Sequence, residues 1–203
     1  MYRPRGDERH GLMVSGMGDA LERLITAGSP GLAPPSRDAG VLEPLLGRRN
    51  GFYVFDSALL VRPQGDAPVL DVAAWNAPEL WGAVYGDALD GVTFFAEDVF
   101  GGQFGLRGDE VVSFDPETGE VEHLAGSLEG WAAEIIEDPE VMTGHPIVRE
   151  WQATHGPLKP GERLVPVVPF ALGGEFAAGN LRALRDVEAM RFYGNLYSIT
   201  TRA

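Results

Sequence analysis

The chain has 203 residues, 44% of them apolar, with a formal net charge of -14 and no cysteine. A chain this long buries roughly 70% of its unfolded surface without metal or disulfide support, which suits one medium domain with an appendage or two small ones. The missing cysteine excludes disulfides, a thiol nucleophile and Cys-ligated zinc, while the charge repels nucleic acid and anionic membranes and attracts basic partners.

Residues 1–17 are charged and broken by glycine, so a loose segment is expected, with none of the apolar core of a signal peptide. No apolar run approaches the roughly 18 residues of a membrane span, and a cytoplasmic location is the expectation. "GDALERLITAG" predicts a helix with Asp19 as cap, Leu21, Leu24 and Ile25 on one face, and Gly28 as its stop. "SPGLAPPSR" reads as a Pro-rich linker. Residues 1–40 are therefore set apart as an N-terminal helix and linker, ahead of a domain over 41–203. "AGVLEPLLGRRNG" is a short helix or turn, with Asn50-Gly51 as a turn signal. "FYVFDSALLVRP" gives two short strands around Asp56-Ser57, the second ended by Pro63.

"VLDVAAWNAPELWGAVYGD" predicts a helix over about Pro78 to Tyr85, capped by Asn76 and stopped by Gly86. Four strand-like runs follow: "VTFFAEDVF", "QFGLR", "EVVSFD" and "EVEHL". Their separators, Gly101-Gly102, Gly108-Asp109 and "PETG", reverse a chain between antiparallel strands, which makes the region a β-meander. "GSLEGWAAEIIEDP" is a helix capped by Ser127, with Trp131 and Ile135 on its apolar face and Pro139 beyond its end. "HPIVREWQATHG" is another helix. The prolines of "PLKPGERLVPVVPFALGG" allow an edge strand or an extended wrap. "AGNLRALRDVEAMRFYGNLYSITTR" predicts a C-terminal helix with Val187, Met190, Tyr193 and Tyr197 as one stripe. Strands that cluster instead of alternating with helices argue an α+β fold with an antiparallel sheet.

The adjacent acids Glu97 and Asp98 invite an acid/base reading. Paired glycosidase carboxylates both face one bond, about 5–9 Å apart, whereas neighbouring strand residues point to opposite faces. A hydrolase using Glu97 or Asp98 with His123 is thus the lesser alternative. Gly101, Gly102 and Gly105 lack the spacing and the following helix of a phosphate-binding loop. The histidines His10, His123, His145 and His155 have no metal-ligand spacing, no G-x-S-x-G occurs, and no catalytic residue, metal or cofactor is expected. Trp131 and Trp151 lie on apolar helical faces. Trp75 and Trp81 are core by default, with partner anchoring as the other possibility.

The stretch "TFFAEDVFGGQFGLRGDEVVSFDPETGEVEHLAGSLEGWAAEII" resembles the central module of the SUKH superfamily, the fold of yeast cell-wall regulators and of many bacterial immunity proteins. The likeness rests on Phe95-Ala96, Asp98, Phe100-Gly101, Phe104, Asp115, Thr118-Gly119-Glu120, Ser127 and Trp131, with "NGFYVFDSALLVRP" upstream. It runs from about Asn50 to Ile136. Residues 19–49 match the usual N-terminal pattern poorly, Ser57-Ala58 replaces an expected glycine, and the C-terminal third is longer than in the simplest members. The resemblance implies a SUKH-like sheet with a C-terminal helical extension. It also implies a non-catalytic protein that neutralises a cognate toxin, which could itself be a basic nuclease; an intracellular scaffold or regulator is the alternative. The candidate contacts are the acids Glu97, Asp98, Asp109, Glu110, Asp115 and Glu117, together with Trp75 and Trp81.

Overall fold

The computed structural model describes residues 19–201; residues 1–17 and His10 lie outside the described residues. Six strands form one antiparallel sheet in chain order: β1 (Phe52–Val54), β2 (Leu59–Val61), β3 (Val92–Asp98), β4 (Gln103–Arg107), β5 (Glu110–Phe114) and β6 (Val121–Ala125). The last four are the expected meander. Each of their reversals contains a glycine with positive φ, namely Gly101 (91°), Gly108 (63°) and Gly119 (77°). Glycine enters that region without the steric cost a Cβ would bring.

A bulge decides what each face of the sheet carries. The β3–β4 ladder slips between Phe94 and Ala96, so the extra residue Phe95 joins Ala96 on the first face. There Phe95, Ala96 and Phe104 pack with Leu21 and Leu24 of α1 (Ala20–Ala27), Leu45 and Leu46 of α2 (Glu43–Leu46), and Trp131 and Ile135 of α4 (Leu128–Glu137). On the second face Phe94 and Phe114 pack with Trp75 of α3 (Val72–Trp75), Trp81, Tyr85 and Met190 of α7 (Asp186–Thr200). The fold is therefore α+β, an antiparallel sheet with helices on both faces.

The N-terminal helix shares this core. Its first turn is capped from α4: the Ala20 amide donates to Glu129 Oε1 at 2.6 Å, and the Asp19 side chain makes no capping bond. The Pro-rich stretch is also fastened down. Asn50, almost fully buried, donates through Nδ2 to the Pro34 carbonyl at 2.6 Å, and its own carbonyl receives the Ala33 amide at 3.0 Å. Residues 19–40, separated from 41–203 on composition, thus join the same packing unit.

Two helices differ from expectation. In place of a helix over Pro78 to Tyr85, α3 ends at Trp75 and is capped by Asp71, whose Oδ1 accepts from the Ala74 amide at 2.8 Å. Gly82–Leu89 is 3₁₀, broken at Gly86 (φ 57°). Asn76 does not cap. It brackets Phe94 with two 2.8 Å bonds, one from its amide to the Phe94 carbonyl and one from the Phe94 amide to its oxygen. The C-terminal helix begins at Asp186, because Leu181–Arg185 is a strand, β8, paired with β7 (Glu162–Pro166) in a two-stranded ribbon. Nothing in "LRALR" favours a strand over a helix; the pairing decides it.

Between the sheet and the ribbon lie α5 (Pro139–Thr143) and α6 (His145–His155). Gly144 joins them at φ 71°, and a Cβ there would overlap the Phe100 ring and stand 3.1 Å from Val99 Cγ1. Gly144→Ala should therefore cost about 2–3 kcal/mol, combining left-handed strain and overpacking, read from urea unfolding midpoints. The β1–β2 connection runs left-handed through three non-glycine residues, Phe55, Asp56 and Ser57 (φ 54°, 55° and 74°). Helix α6 holds it: Gln152 Nε2 donates to the Asp56 carbonyl at 2.8 Å, and His145 Nε2 lies 3.0 Å from Asp56 Oδ2.

Candidate functional site

The two acids of "FFAED" have separate fates. Glu97 points to the second face and is fully buried. Arg163 Nε donates to its Oε1 at 2.7 Å, Arg62 reaches the same oxygen at 2.9 Å, and Gln103 Nε2 donates to Oε2 at 3.1 Å. Arg62 also donates to Asp186 Oδ2 at 3.1 Å and lays its guanidinium 3.3 Å above the centre of the Trp75 ring. Burial pushes the Glu97 carboxyl up, but the two guanidinium groups and the Gln103 bond hold it below the usual carboxylate range. This network ties β2, β3 and β4 to β7 and α7. Glu97, expected at a partner surface, is instead an internal ion-pair centre, because a charge on a covered sheet face needs partners.

Trp75 and Trp81 are likewise core residues, 0% and 7% exposed, and so are not partner anchors. The Trp75 indole donates to Gln103 Oε1 at 2.8 Å and the Trp81 indole to the Trp75 carbonyl at 3.1 Å, so their polar ends are used up inside. The signal that finds Arg62 and Arg163 is local: a carboxylate within an apolar strand run demands a cation on a neighbouring element.

Asp98 points the other way, toward the β3–β4 turn. Its Oδ1 accepts from the amides of Phe100 (2.8 Å) and Gly102 (2.9 Å). Burial dominates its titration and pushes the carboxyl up to about 7, against the pull of those two amides and of Arg163. Asp98 sits at a groove of about 420 Å3 that crosses the end of the sheet, where β3 ends, β4 begins and β5 ends. The β5–β6 turn supplies Asp115, Glu117 and Glu120, and β6 supplies Glu122. Asp115 shapes that turn by accepting the Glu117 amide on Oδ1 at 2.8 Å. The opposite wall is apolar, formed by Phe100, Val141 and Met142 of α5, and Phe170. Among the described residues no Lys, Arg or His lines the groove.

Three of the six acids singled out in the sequence, Asp98, Asp115 and Glu117, thus meet at one cavity. Asp109 and Glu110 are exposed at the far end of the sheet, where Glu110 pairs with His123 at 3.5 Å. The hydrolase set of Glu97, Asp98 and His123 is not brought together. Two groove residues carried no sequence signal as site residues. Tyr193 reads as one more member of an apolar helical stripe, and Phe170 lies in a loop far along the chain.

A six-stranded antiparallel sheet covered on both faces, with an acidic groove at its end, defines an α+β protein with a concave, charged surface. The chain is similar in fold to the crystal structure of Atu4351 from Agrobacterium tumefaciens, with a TM-score of 0.52, 13% sequence identity and 87% of each chain covered. No protein-family profile and no curated protein matches the chain. Among the described residues, no helix is long and apolar enough to cross a membrane.

Proposed function

We propose that this is a non-catalytic, cytoplasmic immunity-type protein that binds and neutralises a cognate toxin domain. The observation that carries the reading is the groove: acids from three chain segments converge on one cavity, with no basic side chain lining it among the described residues. A chain of net charge -14 with such a surface is drawn quickly onto a basic enzyme, since complementary fields raise the association rate. The resemblance of Asn50 to Ile136 to the SUKH superfamily supports the same role. The fate of Glu97 also fits, because a carboxylate neutralised by two buried guanidinium groups is a poor acid or base.

The test is a pull-down with the product of the adjacent gene, followed by co-expression in a host that this product kills. The expected result is a stable complex and restored growth. A neighbour that is harmless, or whose toxicity is undiminished by this protein, overturns the reading for that pair. A stable complex with a harmless neighbour would instead support the scaffold or regulator alternative.

A further inference from the structure

We propose that the groove captures a cationic side chain, arginine or lysine, presented by a protein partner on a segment with apolar flanks. The inference deepens the immunity reading and rests on it for the identity of the partner, not for the chemistry of the groove.

Three observations point to this occupant. First, Tyr193 lines the groove and is 3% exposed, yet its hydroxyl has no hydrogen-bond partner among the described residues. The hydroxyl itself is not fully enclosed, so it opens onto the groove, where an occupant can bond it. Burial raises its pKa well above the usual value, and Asp98, Glu117 and Asp115, which line the same groove, add to the effect. Second, Asp98 spends Oδ1 on two backbone amides, which leaves Oδ2 as an acceptor facing the same space. A carboxylate oxygen and a neutral hydroxyl lining one groove match a guanidinium or ammonium donor and oppose an anion. Third, the apolar wall continues out of the groove. Val141 is 77% and Phe176 63% exposed, and the Phe176 ring packs at a tilt with its centre 5.4 Å from those of both Phe100 and Phe170.

A free small cation has no use for this apolar rim, whereas a protein segment covers it with its own side chains. The long apolar stem of arginine or lysine then lies along Met142 and Phe100 while its charged head reaches Asp98. The cavity, about 420 Å3, falls within the roughly 300–1,000 Å3 range of side-chain and ligand pockets.

The experiment titrates the full chain with a synthetic peptide in which Arg and Leu alternate in amphipathic spacing, beside a Glu/Leu peptide of the same spacing and spermidine. Binding of the Arg/Leu peptide alone is the expected result. Asp98→Asn and Tyr193→Phe should each weaken it about tenfold or more, and Val141→Arg, an exposed site that leaves the fold untouched, should do the same by repulsion. Asp109→Asn, at the far end of the sheet, should leave it unchanged. Equal binding of spermidine, or peptide binding indifferent to Asp98→Asn, Tyr193→Phe and Val141→Arg, overturns the proposal. Rescue from the neighbouring toxin separates the two ideas. If these variants still rescue growth in full, the groove proposal fails and the immunity reading survives. If the peptide binds as expected but no neighbour is neutralised, the groove stands without the immunity role.

Discussion

Glu97→Gln should lower stability by about 3–5 kcal/mol, because it leaves the buried Arg163 guanidinium without its carboxylate and Arg62 with Asp186 alone. In a chain of this size that corresponds to a fall in melting temperature of roughly 6–20 °C, read by thermal or urea unfolding. The change is nearly isosteric, so lost packing cannot account for it. Arg62 and Arg163 already leave Nε and NH2, respectively, without partners, so the network has no spare hydrogen bonds to lose. A Glu97→Gln variant as stable as the parent would show that the network is not what joins the sheet to the C-terminal ribbon. The same carboxylate sets one acid limb. Its folded-state pKa lies below the ordinary 4.5, so its contribution is fully present above that value and is lost as pH falls below 4.5 through the folded value. The Glu97→Gln variant should lack this limb.

The meander was legible because its signals are local. Apolar runs of five to nine residues separated by Gly101-Gly102, Gly108-Asp109 and "PETG" can be read one turn at a time, and the same holds for the Ser127 cap and the α4 face. The Pro78–Tyr85 helix failed for a non-local reason. The segment has capping residues at plausible positions, but Asn76 gains more by bonding both backbone groups of Phe94, where the bulge opens the ladder. β8 was hidden because its partner β7 lies about twenty residues away and its own composition favours a helix. Adjacency in sequence also misled at Glu97 and Asp98. The pleat separates them, but what covers each side chain depends on α7 and β7, which the strand cannot announce. The groove was half legible. Turn acids placed Asp115 and Glu117, whereas its floor and apolar wall come from Tyr193 and Phe170, brought in only by the tertiary fold.

Asp98→Asn should do the reverse of Glu97→Gln and stabilise the protein above neutrality. The Asp98 carboxyl is pushed up to about 7 in the folded chain against an ordinary 3.8. Between those values the folded state keeps a proton that the unfolded chain has released, so stability falls as pH rises across the window. Each unit is worth about 1.4 kcal/mol at most, and with the side chain only half-buried a net loss of about 1–2 kcal/mol between pH 5 and pH 8 is expected. Working above pH 5 keeps clear of the Glu97 limb. The amide oxygen of Asp98→Asn still accepts from Phe100 and Gly102, so the turn survives and the decline disappears. Urea midpoints at pH 5, 6.5 and 8 would decide it: a parent curve flat across that range, or a variant weaker than the parent at pH 8, contradicts the account. The same proton competes with a cation in the groove, since a ligand that needs the carboxylate must displace it. Arg/Leu peptide binding to the parent should therefore tighten from pH 6 to pH 8, while whatever binding Asp98→Asn retains should not. A site that costs stability when charged and gains affinity by being charged has its carboxylate placed for a partner and not for the fold.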